Sequence, residues 1–148
     1  MCVRFIYVIL LISLLVACGD SSDCESGPLE VMSMGDLGCT NSVNLMKIRT
    51  MQEFELIRDQ ESYDALITGP CSPVINWDEN DMVAGNIQLN NGLINLEEKA
   101  NFNCSTNTLL ITILVHLNET EVAQEVFFGF VIPKLDNDQA PFVEVETL

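Results

Sequence analysis

From about Val43 apolar and polar residues fall into regular patterns, and several stretches alternate with a period of two, as in strands that bury one face. Residues 43–48 and 54–57 predict two short strands. Asp59 then offers an N-cap, Tyr63, Leu66 and Ile67 follow at helical spacing, and Gly69-Pro70 supplies a stop. A short helix is expected over about 60–68. Asn91-Gly92 is a type I′ hairpin dipeptide. A turn there sets Leu89 opposite Ile94 and Ile87 opposite Leu96, while Gln88 faces Asn95 and Asn86 faces Glu97. Apolar pairs then fall on one face and polar pairs on the other. In residues 108–117, Leu109, Ile111, Ile113, Val115 and Leu117 point one way. Residues 126–132 are apolar on both faces and end at Pro133, the pattern of a central strand. Residues 142–145 alternate again, with Glu144 and Glu146 outward, which predicts a half-exposed final strand. The expected fold is α+β: one short helix packed on a mostly antiparallel β-sheet that curls into a sandwich or partial barrel.

Residues 5–16 break this pattern. They form a predominantly apolar run after Arg4, closed by Gly19, Asp20, Ser21, Ser22 and Asp23. A bilayer-spanning helix needs roughly 20 apolar residues, and this run is shorter. A positive residue, an apolar stretch and a small residue before a cut make a secretory signal peptide. Its ending, Leu15-Val16-Ala17-Cys18, resembles the lipobox of bacterial lipoproteins. That resemblance implies cleavage before Cys18 and acylation of its thiol, so that Cys18 ties the mature protein to the membrane. One acyl chain binds a bilayer marginally and two or more bind stably. The expected organisation is a signal peptide over 1–17, a lipidated Cys with a flexible Gly/Ser/Asp-rich tether over 18–42, and a single domain over 43–148. Gly19 in place of Asp points to the outer membrane by the sorting rule of that class, with the membrane face left open.

The chain carries 22 Asp and Glu against 6 Lys and Arg. One of the six is Arg4, which leaves with the signal. Such a balance excludes nucleic acid, which needs clustered cations. It also excludes peripheral docking on anionic lipid, so acylation must do the anchoring. Of the six Cys, Cys2 leaves with the signal and Cys18 is acylated. Cys24, Cys39, Cys71 and Cys104 remain, an even number that reads as two disulfides in an exported domain. Three pairings are open; Cys24–Cys39 with Cys71–Cys104 is favoured, because the first two share the lead-in.

Candidate chemistry is sparse. His116 is the single imidazole and no CxxC spacing occurs, so no metal site and no cofactor are expected. No GxSxG motif accompanies it, and a sheet-packed histidine is the simpler reading. Asp78-Glu79-Asn80-Asp81 and Asp136-Asn137-Asp138 could supply oxygens for calcium but lack the EF-hand order. Turns and Asx caps account for both. With so many acids, a carboxylate pair for hydrolysis stays open as the alternative to binding. Trp77, after Val74-Ile75, suits a ring capping one end of the core, and Phe127, Phe128 and Phe130 suit core packing better than a contact patch.

Residues 54–145 resemble the PrcB C-terminal-like domain lipoproteins of Bacteroidota-type bacteria. The matching pieces are Leu56-Ile57-Arg58-Asp59, Glu61-Ser62-Tyr63-Asp64, Ile75-Asn76-Trp77, Met82-Val83-Ala84-Gly85 and Val131-Ile132-Pro133-Lys134. Asn76 stands where Asp is usual and Trp77 where Phe is usual. The resemblance covers about two-thirds of the chain and implies an interaction role without catalysis. The expectation is therefore a lipid-anchored, non-catalytic binding or assembly module of the cell envelope, held to the membrane through Cys18, with an envelope protein as partner. The alternative is a small extracytoplasmic hydrolase.

Overall fold

The computed structural model describes residues 26–136 and 139–148; Cys18 and Cys24 lie outside the described residues, as do Asn137 and Asp138. In chain order the elements are β1 (Gly27–Leu29), β2 (Met32–Ser33), α1 (Ser42–Leu45), β3 (Lys47–Ile48), β4 (Phe54–Ile57), α2 (Gln60–Leu66), β5 (Ile67–Thr68), β6 (Asn80–Asn103), β7 (Thr108–Pro133) and β8 (Phe142–Thr147). β6 and β7 are the axis of a mostly antiparallel sheet ordered β1-β6-β7-β2, with β4 on β6 and β8 on β7. Only β8 runs parallel to its neighbour. The sheet is not closed into a barrel, and β3 with β5 forms a separate two-stranded sheet.

The expected hairpin at Asn91-Gly92 is not formed: β6 runs straight through it. A type I′ turn needs positive φ at both central residues. Among the described residues positive φ occurs at Gly38, Asn41, Gly69 and Asn107, and at neither Asn91 nor Gly92. The real reversal is the Cys104–Asn107 turn, where Asn107 takes φ 51° and Asn103 Oδ1 accepts from the amides of Ser105 (3.0 Å) and Thr106 (3.4 Å). The early half of β6 therefore pairs with the late half of β7 (Met82↔Val131, Ile87↔Val126), and the late half with the early half (Leu96↔Val115, Ala100↔Ile111). Three register shifts between Leu89 and Asn95 separate the halves, as bulges that bend a ladder do.

Each half has its own flanking strands. β4 lies along Met82–Gly85 and β2 along Phe130–Val131; β1 lies along Ala100–Phe102 and β8 along Leu110–Val115. One apolar cluster takes Val83, Leu89, Val126, Phe128, Phe130 and Ile132 from the first half and Ala100, Leu109, Ile111, Ile113 and Val115 from the second. A second cluster joins Met82, Ala84, Phe127 and Val131 to Met34, Cys39, Met46, Ile57, Tyr63 and Ile75. Residues 126–132 are buried throughout, so the strand expected to be apolar on both faces serves both clusters.

α2 starts where the sequence indicates. Asp59 Oδ1 accepts the Ser62 amide at 2.7 Å, and the same bond holds the Asp59 carboxyl below the usual carboxylate range. The helix ends at Leu66, two residues before the expected stop, because Ile67 is already extended and pairs with Ile48. Residues 43–48, expected as a strand, instead give α1 followed by two strand residues, since Asn41 at φ 58° turns the chain into a short helix. Within the segment expected as tether, the residues from Gly27 onward add β1 and β2 to the sheet and bury Met34 and Cys39.

The favoured disulfide pairing is corrected as well. Cys39 is joined to Cys71, with Cα atoms 5.6 Å apart. β3–β5 pairing folds the segment after Cys39 onto the segment before Cys71, and both half-cystines pack against the Met46–Tyr63 cluster. Cys104 is also disulfide-bonded. Among the described residues no helix is long and apolar enough to cross a membrane.

Candidate functional site

The loop between β2 and α1 is held by its own polar groups. Ser33 donates to Asp36 Oδ2 from both its amide (2.9 Å) and its hydroxyl (2.7 Å), and Asp36 N returns a bond to Ser33 Oγ. Cys39 N donates to Met34 O at 2.8 Å, and Gly38 at φ 83° lets the chain turn between them. With Met34 and Cys39 anchored in the core, the loop stands over the bent middle of β6. A recess of about 410 Å³ opens between them. Its polar lining comes from Ser33, Thr40, Asn41, Ser42 and Asn44 of the loop and α1, Asn95 and Glu98 of β6, and Gln124 of β7. Val43, Leu93, Ile94 and Leu96 supply apolar surface, over a floor of buried Met34, Phe127 and Phe128.

Glu98 is the unusual member. It lies two residues from Leu96 and two from buried Ala100, so an acid occupies a face that is otherwise apolar. Burial raises its carboxyl to about pH 7, helped by the negative charges of Asp36 and Glu97. Asp36 shifts the opposite way, because the Ser33 hydroxyl and then the Ser33 amide hold its ionised form. Both acids line an adjoining depression together with Ser33, Glu97 and Lys99. One carboxyl that titrates near neutrality beside one that stays ionised can take up a proton, give one up, or hold a cation.

The other candidates resolve into structural roles. Asp81 is fully buried at the start of β6. Lys134 Nζ stands 3.1 Å from one of its oxygens, and the other accepts the Leu135 amide at 3.0 Å, with Arg58 Nε 3.9 Å away. Asp78 and Glu79 are exposed in a turn organised by Asn76, whose Oδ1 accepts from Asp78 N and whose Nδ2 donates to Glu79 Oε2. Asp136 accepts Arg58 at its carbonyl, and the rest of that acidic run lies outside the described residues. Among the described residues no group of three His, Cys, Asp or Glu side chains could hold a metal ion. His116 Nε2 lies 3.3 Å from Glu97 Oε1 on the sheet face, with no hydroxyl or thiol hydrogen-bonded to it among the described residues. Phe127, Phe128 and Phe130 are core residues. Trp77 lies 6.2 Å from Tyr63 between ring centres and donates Nε1 to Gln60 Oε1 at 3.1 Å, capping one core cluster as its sequence position suggests.

Sequence reasoning missed the recess. Its one visible signal was Glu98, an acid continuing the apolar stripe of Leu96 and Ala100. Asp36 and Ser33 were hidden in a composition that reads as tether. No protein-family model, curated protein or solved structure matches this chain.

Proposed function

We propose that this chain is a lipid-anchored protein of the cell envelope, in the outer membrane, acting as a non-catalytic binding or complex-assembly module related to the PrcB C-terminal-like domains. The sheet, on this reading, folds over itself as a sandwich around the cluster that draws on both halves of β6 and β7. The signal sequence ending in Ala17-Cys18 supports the address. The observation that carries the binding role is the Glu98 recess, a concave site of mixed lining with one half-buried acid. Two experiments test the reading. Cys18→Ser shifts the protein from the membrane pellet to the soluble fraction; continued pelleting overturns the anchor. Affinity capture from envelope membranes is compared for the native chain and Asn44→Trp, which fills the recess. Loss of a stoichiometric partner supports the role, and an unchanged partner set overturns it.

A second reading, a small hydrolase using a carboxylate pair, has one observation in its favour. Asp36 and Glu98 share a depression and shift in opposite directions, as acid and base pairs do. That depression carries no aromatic side chain for sugar stacking. Hydrolysis of a chromogenic glycoside that is abolished by Asp36→Asn would move the assignment to this reading.

A further inference from the structure

We propose that the free edge of β8 takes an extended segment of a partner protein as a further strand, one that alternates basic and apolar residues. This site is separate from the Glu98 recess and does not depend on it.

Leu148 N donates to Val115 O at 2.9 Å and Leu148 O accepts from Leu117 N at 3.3 Å, so this residue turns both polar groups toward β7. Peptide groups alternate in direction along an extended chain, and Phe142, Glu144 and Glu146 therefore do the same. Val143, Val145 and Thr147 turn theirs away from β7. Among the described residues β8 pairs with β7 alone, and no other backbone hydrogen bond reaches Val143, Val145 or Thr147. Their amides and carbonyls stand in a row at an open edge, the template that strand addition requires.

On the core side of this edge, cover is missing. Val145 lies opposite Ile113, which is fully buried, yet Val145 is 46% exposed. Beyond it, a recess of about 410 Å³ runs from Val143 and Val145 to half-buried Phe54 of β4 and Ile87 of β6, over a floor of buried Phe128. β4 and β8 both border this recess without pairing. A strand laid along β8 sends every second side chain into it, and apolar residues suit that place.

The other face of β8 selects the charge. Glu144 and Glu146 lie opposite Thr112 and Leu114 and are exposed, as is Glu53 on the far rim of the recess. The lining of the recess includes no Lys, Arg or His. A second copy of this chain, laid edge to edge, would bring Glu144 and Glu146 against their own equivalents. Like charges so placed are destabilising, the more so in a chain of net charge −16. Lys or Arg at alternate positions of an added strand pairs with those acids instead. The charges that guard the edge against self-association thus admit a basic partner.

The test uses the full-length lipidated protein in detergent micelles and two probes, acetyl-Lys-Val-Lys-Val-Lys-Val-amide and its Glu-Val counterpart. Binding and backbone amide exchange are followed by NMR. The Lys-Val peptide is expected to slow exchange at Val143, Val145 and Thr147 by about tenfold or more, and to leave Glu144 and Glu146 unchanged. Val145→Pro removes one outward amide and spares the bonds to β7, as prolines on edge strands do, and is expected to weaken binding about tenfold. The double variant Glu144→Lys/Glu146→Lys, altered only at exposed side chains, is expected to prefer the Glu-Val peptide instead. Binding that leaves exchange at those amides unchanged, or that Val145→Pro does not weaken, overturns strand addition. Equal binding of both peptides to the native chain, or no switch of preference in the double variant, overturns the basic partner. Protection of the same amides that rises with protein concentration alone makes a second copy the occupant and overturns it too. If neither peptide binds, the acids only guard the edge and the proposal fails.

Discussion

Gly92 lies directly beneath the carboxamide of Asn118. A β-carbon added at position 92 would sit 2.5 Å from Asn118 Oδ1 and 2.7 Å from its Nδ2. Asn118 has a reason to stay, because its Oδ1 accepts the Thr120 amide at 2.8 Å and shapes the bulged stretch of β7. Gly92→Ala is therefore expected to push Asn118 aside and lose about 1–2 kcal/mol of stability. In an Asn118→Ala background the same change should cost almost nothing. Chemical denaturation of the four proteins of this cycle measures the coupling. Strictly additive losses would show that the two residues do not meet.

That contact explains the hairpin that the sequence misplaces. Asn-Gly is a strong turn signal only where both residues take positive φ, and here the glycine serves close approach between strands. The alternation around it is compatible with either topology, since a period of two does not say where a strand ends. The true turn carries good turn residues in Asn103, Ser105 and Asn107, but none outranks Asn-Gly in a local reading. α2 was legible because Asp59 and Tyr63 act within a few residues of each other. The 126–132 strand was legible because burial on both faces leaves an unbroken apolar run. Asp36, Ser33 and the Cys39–Cys71 bond were not legible. What orders them is pairing with strands some 70 to 100 positions away, which a Gly/Ser/Asp composition does not encode.

Lys134 closes the end of the sheet away from the Cys104–Asn107 turn. Its Nζ reaches Asp81, the carbonyl of Arg58 at 3.1 Å and the carbonyl of Trp77 at 2.8 Å, so one ammonium joins three segments. Lys134→Met is expected to strand a buried carboxylate and cost about 3 kcal/mol, with Arg58 at 3.9 Å a weaker substitute. Adding Asp81→Asn should return part of that loss, because the uncharged side chain can still accept the Leu135 amide. Denaturant midpoints check both. A single substitution worth less than about 1 kcal/mol would mean that the pair contributes as a surface pair does.

The Cys39–Cys71 bond closes a sequence separation of 32 residues. On the chain-entropy account, a loop of that length contributes about 4 kcal/mol. A Cys39→Ala/Cys71→Ala variant is expected to lose most of it in denaturation experiments. Peptide mass mapping without reductant should find Cys39 linked to Cys71 and Cys104 linked to Cys24. Two cysteines of the expected four are already joined, and Ser26, two residues from Cys24, accepts the Cys104 amide at 2.9 Å on its Oγ. A Cys71–Cys104 peptide would overturn this connectivity.

Glu98 makes stability depend on pH in a direction opposite to most carboxylates. Its folded-state value is raised to about 7 from an ordinary 4.5, so between those values the folded protein holds a proton that the unfolded chain has released. Stability from this group is therefore complete below about pH 4.5, falls as pH rises, and is fully lost above about pH 7. Asp36 and Asp59, both lowered, act in the other direction at more acidic pH, so the share of Glu98 must be read as a difference between proteins. Glu98→Gln keeps the shape and removes the titration. Relative to the native chain it should gain about 1–2 kcal/mol between pH 4.5 and pH 8, a figure reduced from the full linkage value because the carboxyl is partly exposed. Denaturation midpoints of the two proteins across that range provide the check. A difference that stays flat would show that the carboxyl is hydrated and ionised in the recess.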